Sequence, residues 1–153
     1  MDLNWARSWR RQGQQRRETT WTEAWAKRPR RLYESLTKAQ ATALFLLRTE
    51  VIGLNRWLAT QRVPGISPAC PCGWEAQTVQ HVLLQCRRYD RATLLPRLRS
   101  ERVQQILSDP DQAKAAAQWF IRQGVLEQFK TAKEIQEEDQ RDFMQVASLE
   151  TSV

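Results

Sequence analysis

Histidine occurs once in this sequence and cysteine three times. Any Cys-His or Ser-His nucleophile would therefore draw on the same few side chains. Three cysteines cannot all pair, which excludes a disulfide framework. Glycine is sparse too, with five residues in 153, and no glycine-rich phosphate loop is present. Five glycines and six prolines also argue against wholesale disorder. No apolar run is long enough to span a bilayer. The opening Met1-Asp2-Leu3-Asn4-Trp5-Ala6-Arg7 lacks the apolar core of a signal peptide. Acidic residues are scattered, and none is paired in an apolar setting as general acid–base work requires. These absences predict a non-enzyme that is intracellular, nuclear or cytoplasmic, not secreted and not membrane-bound. In that compartment cysteines stay reduced and free to bind metal.

What is present is concentrated. All three cysteines and the only histidine fall between positions 70 and 86, as Cys70-Pro71-Cys72-Gly73, then His81, then Cys86. The pattern C-x-C-x8-H-x4-C supplies four soft or borderline donors, which predicts one closed tetrahedral zinc site. Buried free thiols with a surface histidine are the alternative, but they leave the clustering unexplained. A closed site leaves no open position for an activated water, and no glutamate stands beside the histidine. The expected role is therefore structural. By analogy with isolated fingers, zinc would add about 10 kcal/mol or more of folding free energy. Pro71 restrains the backbone between two thiols, and Gly73 can take a left-handed conformation. His81 and Cys86 are five positions apart, about 500° around an ideal helix, so Cys86 must lie past the end of the helix carrying His81.

Charge is unevenly spread over a net +7. Residues 1–31 carry nine Lys/Arg against Asp2, Glu18 and Glu23, a net of +6. Residues 130–153 carry three against six acids, a net of −3. A basic arm attracts polyanions through counterion release, and nucleic acid is the commonest such partner. The candidate phosphate contacts are Arg7, Arg10, Arg11, Arg16 and Arg17 in the arm, and Arg87, Arg88 and Arg91 just after the last cysteine. A solvated surface is the plainer alternative for both groups. Trp74, beside the knuckle and on no evident helix face, is the candidate for stacking on a base.

Helical signals run almost throughout, while strand alternation and hairpin dipeptides are missing. The fold class expected is all-α, a small helical domain with a CCHC zinc knuckle between helices. Residues 3–17 read as a helix with Trp5 and Trp9 on one face. Thr20-Trp21-Thr22-Glu23 reads as a capping box opening a helix with Trp21 and Trp25 one turn apart, ended by Pro29. Thr37 caps a helix whose apolar face is Ala41, Leu44, Phe45, Leu47 and Arg48. Gly53 marks a break or a close approach. Thr78 caps the short helix bearing His81. Tyr89 to Leu98 and Glu101 to Leu107 are further helical candidates, with Pro96 a kink or boundary. Asp109-Pro110 starts a helix that runs to Gly124, its C-cap. Three parts follow: a basic Trp-rich helical arm at 1–31, a helical core at 32–129 with the knuckle at 70–86, and an acidic, partly disordered tail at 130–153. The tryptophans of the arm either stack on bases or dock on a protein partner or a second copy, which would make the chain a zinc-stabilised scaffold for protein–protein interaction.

The run Leu47-Arg48-Thr49-Glu50-Val51-Ile52-Gly53-Leu54-Asn55-Arg56-Trp57-Leu58 resembles a segment of fungal non-LTR (LINE-type) retrotransposon polyproteins. There it lies downstream of the reverse transcriptase and RNase H domains. The likeness continues through Arg62-Val63-Pro64-Gly65 and the knuckle, then Gln77-Thr78-Val79-Gln80-His81-Val82-Leu83-Leu84-Gln85-Cys86 and Arg87-Arg88-Tyr89. It reappears from Ala115 to Phe129, and covers roughly residues 20 to 130. The resemblance implies a C-terminal CCHC zinc knuckle that contacts RNA or DNA, with Cys70, Cys72, His81 and Cys86 as ligands of one structural ion. It carries no activity, because the polymerase and RNase H portions have no counterpart here. Where many relatives have Gly-His after "RT", this chain has Glu50-Val51, which leaves the ligand count at four.

Overall fold

The computed structural model describes residues 29–150. The arm arginines Arg7, Arg10, Arg11, Arg16 and Arg17, and the helices expected around Trp5, Trp9, Trp21 and Trp25, lie outside the described residues. Seven α-helices follow in order: α1 Pro29–Tyr33, α2 Lys38–Thr49, α3 Asn55–Thr60, α4 Val79–Leu84, α5 Val103–Ile106, α6 Pro110–Arg122 and α7 Lys130–Glu150. Short 3-10 turns occur at Leu95–Arg97 and Glu127–Phe129. There is no strand among the described residues, so the fold is all-α.

Local chemistry sets the boundaries of the longer helices. Thr37 forms a full capping box with Gln40, each side chain meeting the other's backbone N–H. Asp109 accepts from the Gln112 N–H at 3.0 Å, and Pro110 fills the first position of α6, where no donor is needed. Gly124 follows the end of α6 at φ 63°, a left-handed position that glycine occupies without strain.

α6 is the hub of the core and packs on α1, α2, α5 and α7. Its four alanines, Ala113, Ala115, Ala116 and Ala117, are all buried and let neighbouring helices approach closely. Trp119, Phe120 and Ile121 then fill the space beyond them. Phe120 meets Phe129 edge-on, with centroids 6.4 Å apart. From α2, Ala43, Leu44 and Leu47 are fully buried against this layer. Val79, Val82 and Leu83 of α4 join the same cluster, so the helix that carries His81 belongs to the core.

Several elements differ from expectation. Pro29 opens α1, whereas the sequence predicts only a helix end there. Phe45, expected on the apolar face of α2, is 56% exposed, and Gln40 and Ala43 take the inward positions. The buried face of α2 is Gln40, Ala43, Leu44 and Leu47, and α2 packs on α6. Tyr89 to Leu98 is not an α-helix, and only the turn Leu95–Arg97 is helical. The Asp90 carboxylate accepts from the Ala92 N–H at 2.8 Å, a local turn that competes with helix. Gly53 lies in the break between α2 and α3, with Leu126 3.5 Å from where a Cβ would stand. The acidic stretch expected to fray is helical from Lys130 to Glu150. Ala132 packs on the core at its first turn, and Ile135 and Phe143 further along are exposed.

Candidate metal centre

Two segments with different local logic meet at the site. The first is the turn Cys70-Pro71-Cys72-Gly73. The Gly73 N–H donates to the Cys70 carbonyl at 2.9 Å, and the Cys70 N–H donates to the Trp74 carbonyl at 2.9 Å. Gly73 sits at φ 93°, which side chains disfavour, although nothing would touch a Cβ there. The requirement at this position is the backbone conformation. The turn is fastened to α3 at both ends. Asn55 donates through its amide to the Ala69 carbonyl at 2.8 Å, and the Asn55 N–H donates to the buried Gln77 side chain at 2.9 Å.

The second segment is α4 and its exit. Thr78 Oγ1 accepts from the His81 N–H at 3.1 Å, so the cap also fixes the ligand's own turn of helix. At the other end the His81 carbonyl accepts twice, from Gln85 at 2.9 Å and from Cys86 at 2.7 Å. The chain folds back there, and Cys86 returns to the side of His81 after the helix has stopped.

The result is a cluster of Cys70, Cys72, His81 and Cys86 with ligand atoms all within 4.8 Å of one another. Cys70 Sγ and Cys86 Sγ are 3.7 Å apart, and Cys72 Sγ is 3.1 Å from His81 Nε2. Tetrahedral bonds of about 2.3 Å to sulfur and 2.0 Å to nitrogen give edges of about 3.8 Å between sulfurs and about 3.5 Å between sulfur and nitrogen. The sulfur pair matches its edge, and the Cys72–His81 pair needs to open by about half an ångström. These four side chains can hold a metal ion. Cys70, His81 and Cys86 are buried, and only Cys72 reaches partly to solvent.

The electrostatics suit metal ligation. Burial pushes the Cys70 thiol up to about 11, so it keeps its proton until a cation displaces it. Burial acts on Cys72 in the same sense. Hydrogen bonds to its sulfur, led by the Trp74 backbone N–H, outweigh it and leave that thiol below its usual value. His81 is lowered, first by burial and also by the Arg91 charge, although the nearby Gln85 side chain opposes this. A lowered histidine is a neutral one, the form that binds metal. Nε2 faces the sulfurs while Nδ1 is buried without a partner. Trp74 lies flat on the imidazole, with centroids 5.5 Å apart and planes 8° from parallel, and so sets the plane of the ring.

Sequence reasoning places Trp74 at the site but not its contact with His81. It is 53% exposed while stacked on the ligand. Arg87 and Arg88 are exposed beside Cys86. Arg91 does not join them. It is half-buried, and its Nη1 atom is fully shielded from solvent. Sequence reasoning misses Trp119 altogether, 33 positions beyond Cys86. Its indole N–H donates to the Asp90 carbonyl at 2.7 Å, and Tyr89 meets its ring edge-on at 6.2 Å. These contacts bind the segment after Cys86 to α6. The only hint in the sequence is a tryptophan within an alanine-rich helix, which calls for a partner for its N–H.

No helix among the described residues is long and apolar enough to cross a membrane. Comparison with protein-family models, with curated proteins and with solved structures returns no match.

Proposed function

We propose that this chain is a zinc-bound domain that binds nucleic acid and performs no catalysis, resembling the C-terminal tail of a retrotransposon reverse transcriptase. The observation that carries the reading is the convergence of three thiols and one imidazole, from the 70–73 turn and from α4 and its exit, with ligand atoms within 4.8 Å of one another. Three sulfurs and a nitrogen favour zinc among the common divalent ions, while calcium and magnesium prefer oxygen. When bound, zinc would join the 70–73 turn to the end of α4 and so act as a staple. The ligands would use all four positions of a tetrahedral ion.

Nucleic-acid binding is supported by what surrounds the ligands. Trp74 offers an exposed aromatic surface already held in place by His81. Arg87 and Arg88 present exposed guanidinium groups next to Cys86. The chain as a whole carries +7. An aromatic platform beside cations is the usual equipment for unpaired bases and their phosphates. Fluorescence anisotropy with labelled single-stranded RNA, single-stranded DNA and duplex tests the reading. Affinity should fall steeply with salt, with a slope of about −0.7 for each phosphate met on a single strand. Absence of binding at low salt would refute it and leave a zinc-stabilised scaffold for protein partners.

A further inference from the structure

Helix α3 and the segment that enters α4 enclose between them a cavity of about 150 Å³ that opens to solvent. Ile52, Leu54 and Val79 are buried and supply its apolar lining. A volume of about 150 Å³ is enough for one six-membered ring, since an engineered apolar cavity of that size holds benzene. A fused two-ring system overfills it.

The polar groups on the lining are mostly donors. Gln77 is 7% exposed, and its Oε1 accepts from the Asn55 N–H at 2.9 Å. The NH2 group of the same amide has no acceptor among the described residues. That nitrogen is not shut off from solvent, so it opens on the cavity that the side chain lines. Trp57 is half-buried on the lining, and its indole N–H likewise has no acceptor among the described residues. Arg56 is exposed on the same lining and joins no ion pair among the described residues. Glu50, the one acid there, already has a partner. A buried amide anchored at its oxygen and open at its nitrogen suits a ligand that brings an acceptor.

We propose that this cavity is a pocket for one unpaired pyrimidine base of a bound single strand. This rests on the nucleic-acid reading and adds to it a site and a base preference. A single strand can splay a base out, so that the ring meets aromatic and apolar side chains while its edge is read by hydrogen bonds. Here Ile52, Leu54, Val79 and Trp57 take the ring. The Gln77 NH2 donates to a base carbonyl, and the exposed Arg56 meets the phosphate that follows. Uracil and thymine suit the site best, because their edges carry two carbonyl acceptors, whereas cytosine presents a donor in place of one of them. A purine is rejected by size.

The test is fluorescence anisotropy of the full chain with labelled oligouridine and oligoadenosine of equal length, on the native chain, Gln77→Glu and Trp57→Leu. The native chain should prefer oligouridine by about tenfold, the scale of one stacked and hydrogen-bonded base. Gln77→Glu keeps an oxygen for the Asn55 N–H and puts a second oxygen where the NH2 stood, so most of that preference should disappear. Trp57→Leu should reduce it as well. The ratio of the two affinities is the readout, because a partly unfolded variant loses both alike. Photocrosslinking of the native chain with an oligonucleotide carrying 4-thiouridine should map to residues 52–60 or 77–79. Equal affinity of the native chain for both strands would overturn the proposal. So would a preference unchanged in both variants, or crosslinks confined to other residues. If the native chain binds neither strand at low salt, the nucleic-acid reading itself has failed, and the pocket falls with it.

Discussion

Replacing Trp119 by phenylalanine removes one hydrogen bond between the core and the metal-binding segment. The ring is 3% exposed, and its N–H reaches the Asp90 carbonyl at 2.7 Å. Phenylalanine keeps most of the apolar packing and cannot make the bond. A carbonyl left without its donor in a part-buried setting costs about 1–3 kcal/mol. The void left by the smaller ring adds about 1 kcal/mol. With a urea slope of roughly 1–3 kcal/mol/M, the unfolding midpoint should fall by about 1 M. A second consequence distinguishes this site from an ordinary core position. The bond is one of the ties holding the segment that leads from Cys86 to Arg91. Releasing one residue of backbone costs about 1–2 kcal/mol on reordering, so zinc affinity should fall by about tenfold. Urea unfolding of the zinc-loaded chain and competitive zinc titration read the two effects separately. An unchanged midpoint would refute the energetic role of the bond. A lowered midpoint with unchanged zinc affinity would refute the coupling between α6 and the metal segment.

Further outcomes follow from single positions. Gly73→Ala meets no steric obstacle but forces a side chain onto φ 93°, at about 1–3 kcal/mol, so zinc titration should show roughly tenfold weaker binding or more. Asp109→Ala removes the N-cap of α6 and should cost about 1 kcal/mol in urea unfolding near neutral pH. Burial opposes ionisation of Asp109, but the Gln112 N–H and the Arg99 guanidinium outweigh it and hold the carboxyl below its usual value. A lowered acid stabilises the folded chain above its unfolded pKa of about 3.9 and stops doing so as pH falls through the folded value. The gap between the native chain and Asp109→Ala should therefore close toward acid, and a gap that widens there would contradict the assignment. Arg87→Gln with Arg88→Gln should weaken binding to single-stranded RNA and lower the salt slope by about 0.7 for each phosphate no longer met, leaving zinc affinity unchanged.

Much of the fold and of the site is legible in the sequence where the chemistry is local. Thr37, Thr78 and the Asp109-Pro110 pair announce helix starts because a cap acts within four residues. The position of Cys86 beyond α4 follows from helix geometry, which allows no five-residue pair on one face. Reading fails where a tertiary partner decides the outcome. Phe45 sits at a position that periodicity alone assigns to the core, yet α2 packs on α6 with Gln40, Ala43, Leu44 and Leu47 buried, and Phe45 faces water. Tyr89 to Leu98 has helical composition, but the Asp90 turn and the Trp119 indole claim its backbone. Arg91 resembles a third member of a basic row because sequence does not show that its guanidinium is partly shielded from solvent.

The central claim is that the four-ligand cluster is a structural metal centre whose occupancy supports the fold. The most direct test is thermal unfolding of chelator-treated chain before and after one equivalent of zinc, with stoichiometry counted by native mass spectrometry. The account predicts one zinc per chain, a marked gain in helicity and melting temperature on loading, and loss of both in Cys72→Ser. A metal-free chain with the same helicity and the same melting temperature as the loaded one would contradict it.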